Sequence, residues 1–261
     1  MGAIRYEVDD RVATITIDRP EKRNAMTYAV LREFHEAVAR AGADDAVHAV
    51  VLTGAGGAFC AGTDLSDLAA TPEEHRSGAG RPRDGSRAEP WPLVACPKPV
   101  VAAVDGPAVG MGAEFATQCD VRLASDRARF GWNFVQRGLV PDTGAGSFLL
   151  PRLIGPSAAL RLLLSGELID AAEALRLGFV AAVVRPDELA AAAEAEARRY
   201  LAASPFAVRR VKALVYAGLA RPVDEHLRQT GALLEECFRS EDHREGVAAF
   251  LERREARFTG R

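Results

Sequence analysis

Residues 98 to 114 read Lys98-Pro99-Val100-Val101-Ala102-Ala103-Val104-Asp105-Gly106-Pro107-Ala108-Val109-Gly110-Met111-Gly112-Ala113-Glu114. Val100 to Val104 has the length and apolar composition of a strand, Asp105-Gly106-Pro107 turns the chain, and the small residues after it become helical by about Glu114. One such turn is weak evidence, because strand-to-helix connections use glycine simply to turn. The chain contains a second. A buried-type strand at Val47 to Leu52 runs into Gly56-Gly57-Ala58-Phe59-Cys60-Ala61-Gly62-Thr63-Asp64, again with a helix-forming stretch beyond. Glycine lets backbone approach a ligand closely, and unpaired N–H groups near a helix start can point at an anion. Two such turns together can form an oxyanion hole.

Outward from this pair the chain alternates strand and helix. Val12-Ala13-Thr14-Ile15-Thr16-Ile17 alternates as a half-buried strand, closed by Asp18-Arg19-Pro20. Residues 27 to 41 place Val30, Leu31, Phe34, Val38 and Ala41 on one helical face, with Thr27 as N-cap. Further strands are expected at Val121 to Ala124 and Val180 to Val184, and helices at Ala158 to Leu164, Ala171 to Leu177 and Glu188 to Ala202. The fold class is α/β. Residues 1–203 form a mixed core. From Ser204, residues 204–261 read as a helical C-terminal module, with Phe206, Val211, Leu214, Leu227, Leu234, Phe238, Val247 and Phe250 as expected buried positions. The stretch Thr71 to Pro92 is dense in Pro, Gly, Arg and Ser and reads as a long loop or frayed helix.

Composition narrows the function. A chain of 261 residues, 48% hydrophobic and 26% charged, buries a substantial core, and a formal net charge of −3 supplies no basic field for nucleic acid. Cys60, Cys96, Cys119 and Cys237 stand far apart with no metal-ligand spacing and read as reduced thiols, so a cytoplasmic protein with no metal is expected. No segment has the length of a membrane span. The five histidines are scattered, which disfavours nucleophilic catalysis. A dinucleotide fingerprint fails at Phe115, where the third small residue should stand.

Four segments, in order, resemble the crotonase superfamily of enoyl-CoA hydratases and isomerases over essentially the whole chain. They are Arg19-Pro20-Glu21-Lys22-Arg23-Asn24-Ala25-Met26, Ala58 to Leu65, Lys98 to Gly106 with the turn after it, and Ser240 to Arg254. The resemblance implies a crotonase-like spiral of repeated ββα units and an acyl-CoA thioester substrate. No cofactor is implied beyond the coenzyme A of the substrate, and the partners implied are further copies of the chain, as a homotrimer or hexamer. It makes the N–H groups of Thr63 and Met111 the donors to the thioester oxygen, Met111 standing where the family usually has Gly. Glu114 matches one of the two hydratase glutamates; the bare alternative is an acid favourably placed in the first turn of a helix.

The second hydratase glutamate falls on Phe134, so that carboxylate is missing. Asp142, eight positions later, resembles the aspartate of other members, including some isomerases, and reads equally as a cap on the next helix. The expected pocket residues are Trp91, Trp132 and Phe134. For coenzyme A the resemblance implies Lys22 and Arg23 near the phosphates, Ala61, Asp64 and Leu65 around adenine, and Phe250 with Arg253 from the C-terminal module. The activity this implies is addition of water to a 2-enoyl-CoA, with double-bond isomerisation as the near alternative and an acyl-CoA binding protein without turnover as the distant one.

Overall fold

The computed structural model describes residues 2–70 and 91–261. The stretch expected as a long loop, apart from Trp91 and Pro92, lies outside the described residues. Strands β1 (Ile4–Asp9), β2 (Val12–Ile17), β3 (Ala49–Gly54), β4 (Val100–Val104), β6 (Val121–Ser125) and β9 (Ala182–Val184) form one sheet in the order β1-β2-β3-β4-β6-β9. Only the β1–β2 pair is antiparallel. Its hairpin turns at Asp10 and Arg11, both at positive φ, the geometry a two-residue hairpin requires. Strand β1 was not read from the sequence. Its apolar Ile4, Tyr6 and Val8 alternate with charges, and its outer face stays wet because it closes the sheet edge.

The central strands are buried on both faces, as parallel strands covered by helices must be. Period-two alternation divides them. Val50, Leu52, Val100, Ala102 and Val104 face one apolar cluster with Phe34 and Phe115, while Ala49, Val51, Val101 and Ala103 face another beneath Leu189, Ala193 and Ala197. Full burial of such a valine or leucine contributes about 1.5–3 kcal/mol, so β3 and β4 hold the frame on which both glycine turns hang.

A second sheet, β5-β7-β8, consists of Pro107–Val109, Arg129–Gly131 and Ile169–Asp170. Short strands of two or three residues carry too little periodicity to read, and none was expected. Helix Tyr28–Ala43 is capped by Thr27, whose hydroxyl accepts from Val30 N–H at 3.2 Å. Its Phe34 stacks on Phe115 of helix Met111–Gln118, ring centroids 4.6 Å apart.

Helices Pro205–Gly218, Val223–Arg239 and Glu241–Glu252 form the C-terminal part. Their attachment is more polar than expected. Lys212 Nζ donates to Asp120 Oδ2 at 2.8 Å and to the carbonyls of Leu93 and Lys98, and the Tyr216 hydroxyl donates to Asp120 Oδ1 at 2.9 Å. Such a buried cluster fixes orientation more than it adds stability. The expectation that Val211, Leu227, Leu234, Phe238, Val247 and Phe250 are buried is incorrect for this chain by itself. All six are exposed, Phe250 to 81%, because the apolar stripe faces outward while the polar contacts face the core. Among the described residues no helix is long and apolar enough to cross a membrane.

Candidate active site

The two glycine turns lock together through their backbones. Phe59 and Cys60 N–H both donate to the Pro107 carbonyl, at 3.1 and 3.0 Å, and Val109 N–H donates back to Cys60 at 3.0 Å. Glycine is needed at the contacts. A methyl group on Gly112 would run into the Cys60 carbonyl oxygen, and one on Gly62, at φ +99°, would sit 2.8 Å from the Val109 oxygen. The first turn is also stitched to the N-terminal segment, Met26 N–H to Gly62 O and Asp64 N–H to Met26 O, both at 2.8 Å.

This stitching aims the donors. A parallel bridge pairs Met26 with Thr63 through the groups on either side of Thr63, so the Thr63 N–H itself points away from the bridge. Met111 is the first residue of its helix, where an N–H has no partner within the helix. Among the described residues neither N–H has an acceptor. Both residues line one cavity of about 630 Å³, together with Ala61, Leu65, Phe134 and Asp142. Two unpaired N–H groups in one wall can hold a developing negative charge on oxygen, each contributing about 3 kcal/mol in that role.

Glu114 lies one turn along the same helix and is wholly buried, behind the cavity wall. Thr143 Oγ1 donates to its Oε2 at 2.6 Å and Gly146 N–H to its Oε1 at 2.8 Å. Burial pushes the carboxyl up to about 7, against these donors and with help from the nearby Asp142 charge. Asp142 stands in the wall itself. It keeps solvent access through the open cavity, yet protein crowds its other sides, and the resulting desolvation raises its carboxyl to about 6, partly offset by the N–H of Thr143. The pair therefore has one carboxyl facing the cavity and one behind it, both titrating where a proton can move in either direction near neutral pH.

The capping alternative for Asp142 goes to its neighbour. Gly144 is the N-cap of helix Ala145–Phe148 without a side-chain bond, and Ala145 N–H donates to Thr143 Oγ1 at 3.2 Å. Thr143 is the residue that sequence reasoning missed. It stands inside the Pro-Asp-Thr-Gly turn, and its hydroxyl spacing from Ala145 was a readable signal, but its reach to Glu114 depends on packing between distant segments. Asn24 was also overlooked. Fully buried, it donates through Nδ2 to the carbonyls of Ala55 and Ala58 at 2.9 and 2.6 Å and so holds the first turn.

Phe134 lines the cavity, its ring 4.0 Å from the point where a Gly110 Cβ would stand. The two tryptophans do not line it. Trp132 is buried edge-on against Phe179, with its indole N–H on Thr117, and the half-buried Trp91 packs on Phe148, its N–H on the Thr143 carbonyl at 2.8 Å. Lys22 and Arg23 are exposed beside the first turn, and the Arg23 carbonyl accepts from Ala61 N–H at 3.0 Å. Asp64 is turned away from the cavity, its carboxylate bonded to Ser66 and 3.4 Å from Arg19. Ser66 holds that carboxyl below its ordinary range. Phe250 and Arg253 lie on the outer C-terminal helix and do not reach the cavity of their own chain.

Residues 7–261 match the family model described as enoyl-CoA hydratase/isomerase. A crotonyl-CoA hydratase of Syntrophomonas wolfei is 36% identical over 98% of this chain and 97% of its own length. A short-chain-enoyl-CoA hydratase of Clostridium acetobutylicum is 37% identical over 97% and 96%. The crystal structure of an enoyl-CoA hydratase from Bacillus anthracis superposes with a TM-score of 0.92 at 31% identity, covering 99% of this chain and all of that one.

Proposed function

The chain belongs to the enoyl-CoA hydratase/isomerase family, and from that premise we propose that it adds water across the double bond of a 2-enoyl-CoA. The observation that carries this reading is the pair of acceptorless N–H groups, Thr63 and Met111, in one cavity wall with Asp142, and Glu114 behind that wall, both carboxyls being of raised proton affinity. In this reading the two N–H groups are the oxyanion hole. Water adds at C3, the electron pair of the double bond moves toward the thioester oxygen, and the enolate is held there until C2 takes a proton. Glu114 and Asp142 are the acid–base pair, one accepting the proton of the attacking water and the other supplying the proton to C2. Proton transfer of this kind needs no cofactor beyond the coenzyme A of the substrate.

Phe134 favours a second reading. An apolar ring in the wall beside Asp142 leaves a single carboxyl facing the cavity, which suits a shuttle that takes a proton from one carbon and returns it to another. Incubation with 2-enoyl and 3-enoyl thioesters, followed by mass measurement, separates the two. A product heavier by one water supports hydration; an isomer of unchanged mass, with no hydrated species, overturns it.

Lys22, Arg23, Ala61 and Leu65, grouped at the first turn, are proposed to receive the coenzyme A moiety. Phe250 and Arg253 would serve it from a neighbouring copy, in a homotrimer or hexamer built on the exposed apolar stripe of the C-terminal helices. Its four unpaired cysteines, three of them buried, support a reducing, cytoplasmic setting.

A further inference from the structure

Two charged residues stand in the described wall of the cavity, and the proposed chemistry uses only Asp142. The other is Arg137, the last residue of the 3₁₀ turn Asn133–Arg137. Its one hydrogen bond runs from Nη1 to the Asn133 carbonyl at a long 3.3 Å, and among the described residues it has no carboxylate partner. Arg127, Arg161, Arg176, Arg198 and Arg254 all pair with Asp or Glu on open surface. Arg137 is left with free donors although Leu139 and Val140, exposed and apolar, flank it in the same wall. A cation beside apolar surface loses water as soon as a chain is laid over it, which strengthens its attraction for an anion.

Its position selects which anion. The coenzyme A moiety is proposed to lie along the first turn, by Ala61 and Leu65. Arg137 stands one 3₁₀ turn beyond Phe134, which places the two on one face of that turn, and the Phe134 ring abuts the residue preceding the Met111 donor. A thioester held between Thr63 and Met111 therefore directs its acyl group, not its phosphates, toward Arg137. We propose that Arg137 binds a carboxylate carried by the acyl group, so that the substrate class is a 2-enoyl-CoA whose chain ends in a second carboxylate. The planar guanidinium offers two parallel N–H donors that match both carboxylate oxygens. This deepens the thioester reading above and rests on it.

The test uses the full chain and two 2-enoyl-CoA thioesters of equal length, one ending in a methyl group and the other in a carboxylate. The quantity read is the ratio of kcat/KM for the two, in wild type, Arg137→Met and Arg137→Lys. The wild type is expected to prefer the carboxylate substrate, and Arg137→Met to reduce the preference by roughly 10- to 100-fold, chiefly through KM, as loss of a charged hydrogen-bond pair does. Arg137→Lys is expected to retain part of it. The proposal is overturned if the wild type shows no preference, or if Arg137→Met slows both substrates equally, which would place the guanidinium on the coenzyme A phosphates. If neither thioester is hydrated the hydratase reading falls. Calorimetric Kd values for the two saturated acyl-CoA analogues then decide the Arg137 proposal by the same ratio.

Discussion

Thr63 and Met111 present main-chain donors, whereas Glu114 and Asp142 present side-chain carboxyls, and the contrast runs through the whole site. The donor half consists of two strand-to-helix turns bonded to each other through Phe59, Cys60 and Val109, with glycine wherever a Cβ would intrude. Apart from Asn24, whose amide holds the first turn, side-chain identity matters little to it, which is why methionine is accommodated at position 111. The carboxyl half depends on Thr143, Gly146 and the Asp142 turn reaching across from another segment. In the proposed mechanism, stabilising an enolate is thus a property of the fold, while the fate of its proton is a property of a few replaceable side chains. Phe134 is one such replacement.

The largest effect is expected from breaking the donor half. Gly112→Ala places a methyl against the Cys60 carbonyl, which is part of the bridge between the turns. Turnover should fall by roughly 10²- to 10³-fold, the loss associated with one oxyanion donor. The melting temperature should fall by about 3 to 8 °C from overpacking. Steady-state kinetics and thermal unfolding check both; near-normal turnover would mean that the two turns do not need their close contact.

Glu114→Gln tests the other half next. Turnover is expected to drop by roughly 10²-fold, and stability should change in a direction fixed by the raised carboxyl. Folding favours the protonated form of Glu114, lifting it from 4.5 to about 7. That stabilisation is complete below pH 4.5 and is lost as pH rises through 7, up to about 3 kcal/mol in all. The neutral glutamine is exempt. Urea unfolding at pH 5 and pH 8 should therefore show wild type losing stability relative to the variant at the higher pH. Parallel behaviour of the two would show that Glu114 ionises inside the protein without penalty.

Asp142→Asn is expected to cost less, roughly 10- to 100-fold, and to remove the rise in rate as pH passes about 6. It also divides the two chemistries. If hydration survives in this variant while double-bond migration disappears, Asp142 is a shuttle between carbons and not half of the hydration pair.

The same contrast explains what was legible in the sequence. Strands β2, β3 and β4 and both glycine turns could be read because alternation, apolar runs and glycine spacing are local signals of local backbone demands. That Thr63 and Met111 share one cavity wall followed from them and from the resemblance. The outward C-terminal stripe misled, since helical periodicity reports that Leu227, Phe238 and Phe250 share a face but not what covers it. Trp91 and Trp132 misled for a related reason: a large aromatic near a site is as able to fill the core as to line the cavity. The clamp on Glu114 was illegible because Thr143 and Gly146 are 29 and 32 residues away in the chain.

The clamp makes the subtlest prediction. Thr143 Oγ1 accepts from Ala145 N–H at 3.2 Å and from the Gln118 amide at 3.4 Å, both donors, so its own proton is directed to Glu114 at 2.6 Å. The hydroxyl therefore favours the charged carboxylate and opposes the effect of burial. Thr143→Val keeps the shape and removes that proton, so the proton affinity of Glu114 should rise further above about 7. The limb of the rate profile that follows Glu114 ionisation should move up by about one pH unit. With Glu114 as the protonated partner of ionised Asp142, the variant should then differ from wild type by less than about threefold at pH 6 and keep about tenfold more of its rate at pH 9. Thr143→Ser, which returns the donor, should restore the original limb. A hydroxyl that merely packed the turn would slow the enzyme equally at every pH and leave the limb in place. A displaced limb in the valine variant, rescued by serine, would show that the two halves differ in kind: the donors are set by backbone, and the carboxyl by one proton on one side chain.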